Sequence, residues 1–143
     1  MARVLCLDSS VLIPYLAPEE NSDEAEVLIL DAISSSIRMV APCFAWAEVG
    51  SVLRKKVRRG LLTFEESQAC FEDFQQLSLE FIDLPDLRAK AWAIATQHDL
   101  PTLYDAAFLA CSEFCGAEFW TADRVFIKSL SPCPKYVRLL TEH

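Results

Sequence analysis

Short apolar runs alternate along the chain with longer segments in which apolar residues recur at helical spacing. The first run, Val4-Leu5-Cys6-Leu7, is unbroken and stops at Asp8, which is typical of a strand that a parallel sheet buries on both faces. In open α/β sheets, ligands bind beyond the carboxyl ends of the strands, so Asp8 lies where a site is expected. A serine directly after Asp8 can cap the next helix.

Helices are predicted between the strands. Pro14 and Pro18 should interrupt or bend the helix that follows Asp8, and residues 19–22 form a polar break. Further strands are predicted near 38–41, 79–82, 118–121 and 136–139, and further helices near 23–34, 43–58, 63–77, 87–97, 104–115 and 124–129.

Several helix limits carry a local signal. Ser22 or Asp23 can cap the second helix, and Gly60 fits the position just after a helix end. Thr63 and Glu66 have the spacing of a capping box. Strands that alternate with helices, without the Asn-Gly turns of tight hairpins, predict crossover connections and a parallel sheet.

The totals limit the class of protein. A length of 143 residues suits one domain over residues 1–143, and 52% apolar residues indicate a well-packed globular protein. No apolar run approaches the roughly 18 residues of a membrane span, so we expect a soluble, cytoplasmic protein. We expect the six cysteines to be buried free thiols. The net charge of −8 argues against nonspecific binding to nucleic acid, yet it allows a nuclease whose acids hold metal ions.

Three further acids occupy positions comparable to that of Asp8. Glu48 falls on the apolar stripe of its predicted helix, where an ionised side chain needs a partner, although a boundary position that reaches water is the alternative. Asp105 opens a helix that is otherwise nearly all apolar, and Asp123 follows a strand. Taken singly, these two aspartates suit ordinary helix N-termini.

The combination of the four acids changes this interpretation. Strand ends and the first turns of the following helices share one edge of a crossover sheet, so the four carboxylates can meet there. At about 4 Å, two like charges repel by roughly 4 kcal/mol at an effective dielectric constant of 20. A divalent cation removes that conflict, and oxygen ligands favour Mg²⁺ or Mn²⁺.

Three segments and their order resemble the PIN domain family, in particular its small toxins of VapC type. They are LCLDSSVLIPYL, FAWAEVGSVLRKK and LYDAAFLACSEFCGAEFWTADRVF, and the resemblance spans nearly the whole chain. It implies a three-layer α/β/α sandwich around a mostly parallel sheet of four to five strands. It also implies a metal-dependent endoribonuclease that a cognate antitoxin neutralises and that is often dimeric.

The resemblance also assigns roles to residues. The acidic quartet of the family carries over onto Asp8, Glu48, Asp105 and Asp123, which are the expected catalytic residues and metal ligands. Ser10 and Thr121 match polar positions that support the quartet. In this hypothesis the acids hold Mg²⁺ or Mn²⁺, which activates a water for hydrolysis of an RNA phosphodiester.

Basic residues should serve the substrate. Lys55 and Arg59 lie seven and eleven residues after Glu48, on nearly the same helical face, and could contact RNA phosphates. A solvated helix end that suits the helix dipole is the alternative interpretation of both residues. The expected protein partners are a second copy, through apolar surface near residues 63–77, and an antitoxin whose tail fills the acidic cleft.

Two other functions remain open at this point. One is an aspartyl phosphatase or phosphoacceptor domain with Asp8 as nucleophile, for which Lys128 would be the late lysine. The other is a noncatalytic interaction module whose acids are vestigial, and such a module would not bind Mn²⁺.

Overall fold

The computed structural model describes residues 2–17 and 22–141. Pro18 and residues 19–21 of the predicted polar break lie outside the described residues. The elements are β1 (Val4–Leu7), α1 (Ser9–Leu16), α2 (Asp23–Ser34), β2 (Arg38–Pro42), α3 (Ala45–Arg58), α4 (Phe64–Gln76), β3 (Leu79–Ile82), α5 (Pro85–Gln97), α6 (Tyr104–Cys115), β4 (Glu118–Thr121), α7 (Arg124–Ser129) and β5 (Val137–Leu139).

The five strands form one parallel sheet in the order β3-β2-β1-β4-β5. In the centre, Leu5 of β1 pairs with Met39 of β2 on one side and with Glu118 of β4 on the other. Because all strands run the same way, the residues that follow β1, β2 and β4 reach the same edge. The predicted parallel sheet of four to five strands is confirmed.

Helices cover both faces of the sheet. Leu5 and Leu7 point into a core built with α1, α2, α3 and α4. Cys6 points the opposite way, into a core shared mainly with α5, α6 and α7. This alternation along one buried strand produces the predicted α/β/α sandwich.

The capping signals read from the sequence are present. Ser22 accepts the Ala25 N–H at 3.2 Å, and Thr63 exchanges the two capping-box hydrogen bonds with Glu66 at 2.9 and 3.0 Å. Gly60 has φ of 72°, a left-handed conformation that glycine adopts without strain.

Some expectations were wrong in detail. Helix α1 continues through Pro14 to Leu16, because the fixed φ of proline suits a helix and the surrounding side chains are buried. Helix α5 begins at Pro85, since the first helical position needs no N–H partner. The thiols of Cys43 and Cys133 are exposed, although all six cysteines are free as expected. Within the described residues no helix is long and apolar enough to cross a membrane.

Candidate metal and catalytic site

The four acids identified in the sequence all lie at helix N-termini on the carboxyl side of the sheet. Asp8 follows β1 and caps α1, and Asp123 follows the neighbouring β4 and caps α7. Glu48 lies in the first turn of α3, which comes after β2, and Asp105 lies in the first turn of α6. The parallel topology therefore brings helix N-termini and carboxylates to one edge.

Asp8 is held by hydroxyl groups on both of its carboxylate oxygens. Its side chain is buried, and Oδ1 accepts hydrogen bonds from the Ser10 N–H at 3.0 Å and the Ser10 hydroxyl at 2.5 Å. The Thr121 hydroxyl donates to Oδ2 at 2.6 Å. Asp8 itself, not a serine, is thus the N-cap of α1. Its carboxylate orientation is fixed from helix α1 and strand β4 at once.

The same hydroxyls also accept from the backbone after β4. Ala122 N–H donates to the Ser10 Oγ at 2.8 Å, and Asp123 N–H donates to the Thr121 Oγ1 at 3.1 Å. Each hydroxyl has one proton, and both protons point to an ionised Asp8. The two hydroxyl oxygens lie 3.2 Å apart, and neither then donates its proton to the other. The network joins Asp123 to Asp8 through the side chains of Ser10 and Thr121.

Glu48 is half-buried and has a partner that the sequence analysis did not single out. The Ser9 hydroxyl lowers the pKa of Glu48, but burial raises that pKa by more. Ser9 is the first residue of α1, so this interaction runs between α1 and α3. The only signal in the sequence was its place beside Asp8.

Burial is the main electrostatic effect on the site. It raises the pKa of Asp8 to about 6, although the hydrogen bonds from Ser10 and Thr121 act in the opposite direction. Burial also raises the pKa of Glu48 and that of Asp105. Protonation near neutral pH is therefore easier at this edge than at an ordinary carboxyl group.

Repulsion among the acids is the smaller cause. The charge of Asp105 raises the pKa of Asp8 and of Glu48, and the charge of Asp123 raises that of Asp105. Asp105 therefore interacts with each of the other three. Burial thus outweighs the repulsion on which the sequence argument relied. Among the described residues, no three His, Cys, Asp or Glu side chains form a ready-made cation site.

The two basic candidates lie farther from the acids. Lys55 and Arg59 are exposed at the end of α3, about 10 and 16 Å from Glu48 along the helix axis. Neither side chain makes an ion pair with the quartet within the described part of the chain. The structure thus brings the four acids, Ser10 and Thr121 together, and leaves the two cations on open surface.

Comparisons with known proteins agree with this fold. The family model for the PIN domain matches residues 5–129. Ribonuclease VapC3 of Pyrobaculum aerophilum is 32% identical over 122 residues, which cover 84% of this chain and 89% of that protein. The crystal structure of PAE2754 from the same organism superposes with a TM-score of 0.71 at 21% identity, covering 98% of this chain and 91% of that chain. A toxin–antitoxin complex from Klebsiella pneumoniae gives a TM-score of 0.67 at 19% identity, covering 97% of this chain and 99% of that chain.

Proposed function

Because the chain belongs to the PIN domain family, we propose that it is a metal-dependent endoribonuclease and the toxin of a toxin–antitoxin pair. One observation carries the proposal. The four carboxylates lie at helix N-termini on the carboxyl side of one parallel sheet, and Asp105 interacts electrostatically with each of the other three. A relative that is 32% identical over most of the chain is a ribonuclease, which supports RNA as the substrate.

The donor set at the edge fits a hard divalent cation. All four acids offer carboxylate oxygens, and the charged groups that raise the pKa values of Asp8, Glu48 and Asp105 are other acids. We assign Asp8 and Asp105 as the nearest ligands of Mg²⁺ or Mn²⁺, with Glu48 and Asp123 binding directly or through water. Such an ion, when bound, supplies an activated water and offsets negative charge on the reacting phosphate.

The residues of this chain orient that chemistry. Ser10 and Thr121 hold both oxygens of Asp8, so its carboxylate keeps one direction without a metal. Ser9, at the start of α1, favours the ionised form of Glu48. Lys55 and Arg59 bind phosphates of the RNA on either side of the cut.

Partners follow from exposed apolar surface on α3 and α4. Trp46 is 54% exposed and Phe64 is 60% exposed, and both line a groove of about 470 Å³ between the two helices. This surface is large and apolar enough to associate with protein. We assign it to a cognate antitoxin or a second copy; a protein that shares the fold forms a toxin–antitoxin complex.

Calorimetry with Mn²⁺ and a cleavage assay on RNA test the proposal together. The wild-type protein should bind Mn²⁺ and cut RNA only when the metal is present. Asp105→Asn should weaken binding and abolish cleavage. Asp86→Asn is the matched control, because Asp86 is an exposed aspartate in the first turn of α5. If the wild-type protein binds no Mn²⁺, the proposal fails and the hypothesis of a noncatalytic interaction module remains.

A further inference from the structure

A second concavity lies directly beside the acidic edge. It has a volume of about 350 Å³, and its floor is formed by the ends of β2 and β3. Its walls come from the starts of α5 and α6. Its lining includes Phe44, Ile82, Asp83, Arg88, Leu103 and Tyr104.

One wall of this pocket is aromatic. Phe44 and Tyr104 pack edge to face, with ring centroids 5.2 Å apart and an interplanar angle of 76°. Tyr104 is 61% exposed, so a large part of its ring is open to a flat ligand. Exposed aromatic rings next to an apolar cleft are the surfaces on which proteins stack unpaired nucleobases.

The rim of the pocket is an ion pair with unused hydrogen-bonding capacity. Arg88 donates from Nε to Asp83 Oδ1 at 2.9 Å and from Nη2 to Asp83 Oδ2 at 2.6 Å. A guanidinium has five N–H groups and a carboxylate has about four acceptor sites, so both residues can make further bonds. The edge of a nucleobase also carries a donor beside an acceptor, so it can form complementary hydrogen bonds with this rim.

The pocket is rooted in the same helices as the acids. Tyr104 directly precedes Asp105 at the start of α6. The Phe44 carbonyl accepts the Glu48 N–H at 3.1 Å at the start of α3. The pocket wall is therefore continuous with the helix starts that carry Asp105 and Glu48.

We propose that the pocket between α5 and α6 binds one unstacked base of the RNA, belonging to a nucleotide next to the phosphate that is cut. The inference rests on the proposed ribonuclease function. Tyr104 stacks on the base, Phe44 supports the Tyr104 ring, and Asp83 with Arg88 contacts the edge of the base. The pocket thereby adds base recognition to a catalytic edge that otherwise contacts phosphate.

Cleavage kinetics test the role of the aromatic wall and the rim. Tyr104→Ala should raise KM for RNA by roughly 10-fold to 100-fold, with a smaller change in kcat, because stacking on that ring is lost. Tyr104→Phe should restore KM. Arg88→Gln should change the base preference at the cut site. Trp92→Ala is the control, since Trp92 is an exposed aromatic residue on α5 that does not line this pocket.

RNA with one abasic nucleotide beside the cut site gives the reciprocal measurement. Wild-type protein should cut it with the raised KM of Tyr104→Ala on intact RNA, and Tyr104→Ala should not distinguish the two RNAs. If the wild type cuts RNA while Tyr104→Ala and Arg88→Gln match it in KM and base preference, the pocket proposal fails and the ribonuclease stands.

Photocrosslinking provides a readout that does not need cleavage. Full-length protein irradiated with RNA that contains 4-thiouridine should yield a crosslinked peptide that includes Leu103 and Tyr104. A crosslink confined to other surfaces would overturn the proposal. So would a change in sedimentation of Tyr104→Ala, because it would show that protein occupies the pocket. Failure of wild-type protein to cut any RNA with Mn²⁺ would instead count against the proposed function.

Discussion

Asp8 shows how burial and hydrogen bonding oppose each other at one residue. Ser10 and Thr121 donate to both of its oxygens, which favours the ionised form. Asp8 is nevertheless buried, with only 8% of its surface exposed, and burial raises the pKa of its carboxyl group to about 6. A carboxylate that is poorly solvated but well oriented gains most from a cation that replaces the missing water.

This balance predicts a pH dependence of stability without metal. Between pH 4 and 6 the folded protein holds a proton on Asp8 that the unfolded chain releases, so the contribution of Asp8 to stability falls as pH rises. The loss, complete above pH 6, is roughly 2 to 3 kcal/mol. The stability of Asp8→Asn relative to wild type should therefore rise by that amount across the interval. Urea unfolding in EDTA at several pH values measures the difference.

The difference in unfolding free energy between wild type and Asp8→Asn cancels the contribution of all other carboxyl groups. A difference in unfolding free energy that stays constant from pH 4 to 7 would show that Asp8 has an ordinary pKa. Added Mn²⁺ should reverse the order of the two proteins at pH 7, because the ion binds the wild-type carboxylate and stabilises the folded state.

Asp105 gives a second prediction at this scale. Asp105→Asn removes the charge that interacts with Asp8, Glu48 and Asp123. RNA cleavage should be abolished, while the melting temperature of the metal-free protein should stay the same or rise. A large drop of that temperature without metal would show that Asp105 is structural.

At the scale of elements, the site is an assembly of helix N-termini. Asp8 and Asp123 cap α1 and α7, and Glu48 and Asp105 lie in the first turns of α3 and α6. Each terminus presents partial positive charge to its acid. This explains how four acids share one edge before any cation binds. The same convergence would attract a phosphate once the acids are neutralised by metal.

The end of α6 offers a test of element geometry. Gly116 has φ of 63°, and a Cβ added there would meet nothing within 4 Å. Gly116→Ala should therefore lower the unfolding free energy by about 1 to 2 kcal/mol through backbone strain alone. Gly116→Asn should cost less, because asparagine tolerates this conformation. Urea unfolding checks both, and equal losses would indicate that the side chains clash.

At the scale of the whole molecule, the net charge of −8 opposes binding of RNA. Nucleic-acid affinity depends on cations that displace counterions, and here the exposed cations near the site are few. In the proposed function, metal binding at the acidic edge would reduce the opposing charge where RNA approaches. RNA affinity should accordingly rise with Mn²⁺ in the wild type and not in Asp105→Asn.

The cations at the end of α3 should set the salt dependence of that affinity. The double variant Lys55→Gln and Arg59→Gln should raise KM and reduce the slope of log affinity against log salt by roughly 0.7 for each lost phosphate contact. Arg58→Gln serves as the control, because Arg58 is predicted to point away from the face of Glu48. An unchanged slope in the double variant would support the solvated-end interpretation.

Much of the fold was determined by signals between near neighbours. The unbroken run before Asp8, the capping box of Thr63 and Glu66, and the left-handed glycines fixed element types and several limits. These signals work from sequence because periodicity, caps and turns involve residues within about four positions of one another. The crossover pattern then predicted the parallel sheet, and the segments around the acids predicted the family.

The tertiary structure alone decided how the site is held and charged. Ser10 and Thr121 meet across 111 positions of sequence, and Ser9 reaches Glu48 from another helix. Burial, which outweighs repulsion at these carboxyl groups, is a property of everything packed around them and leaves no local trace in the sequence. The pocket proposed to bind a base likewise forms only where the starts of α5 and α6 come together.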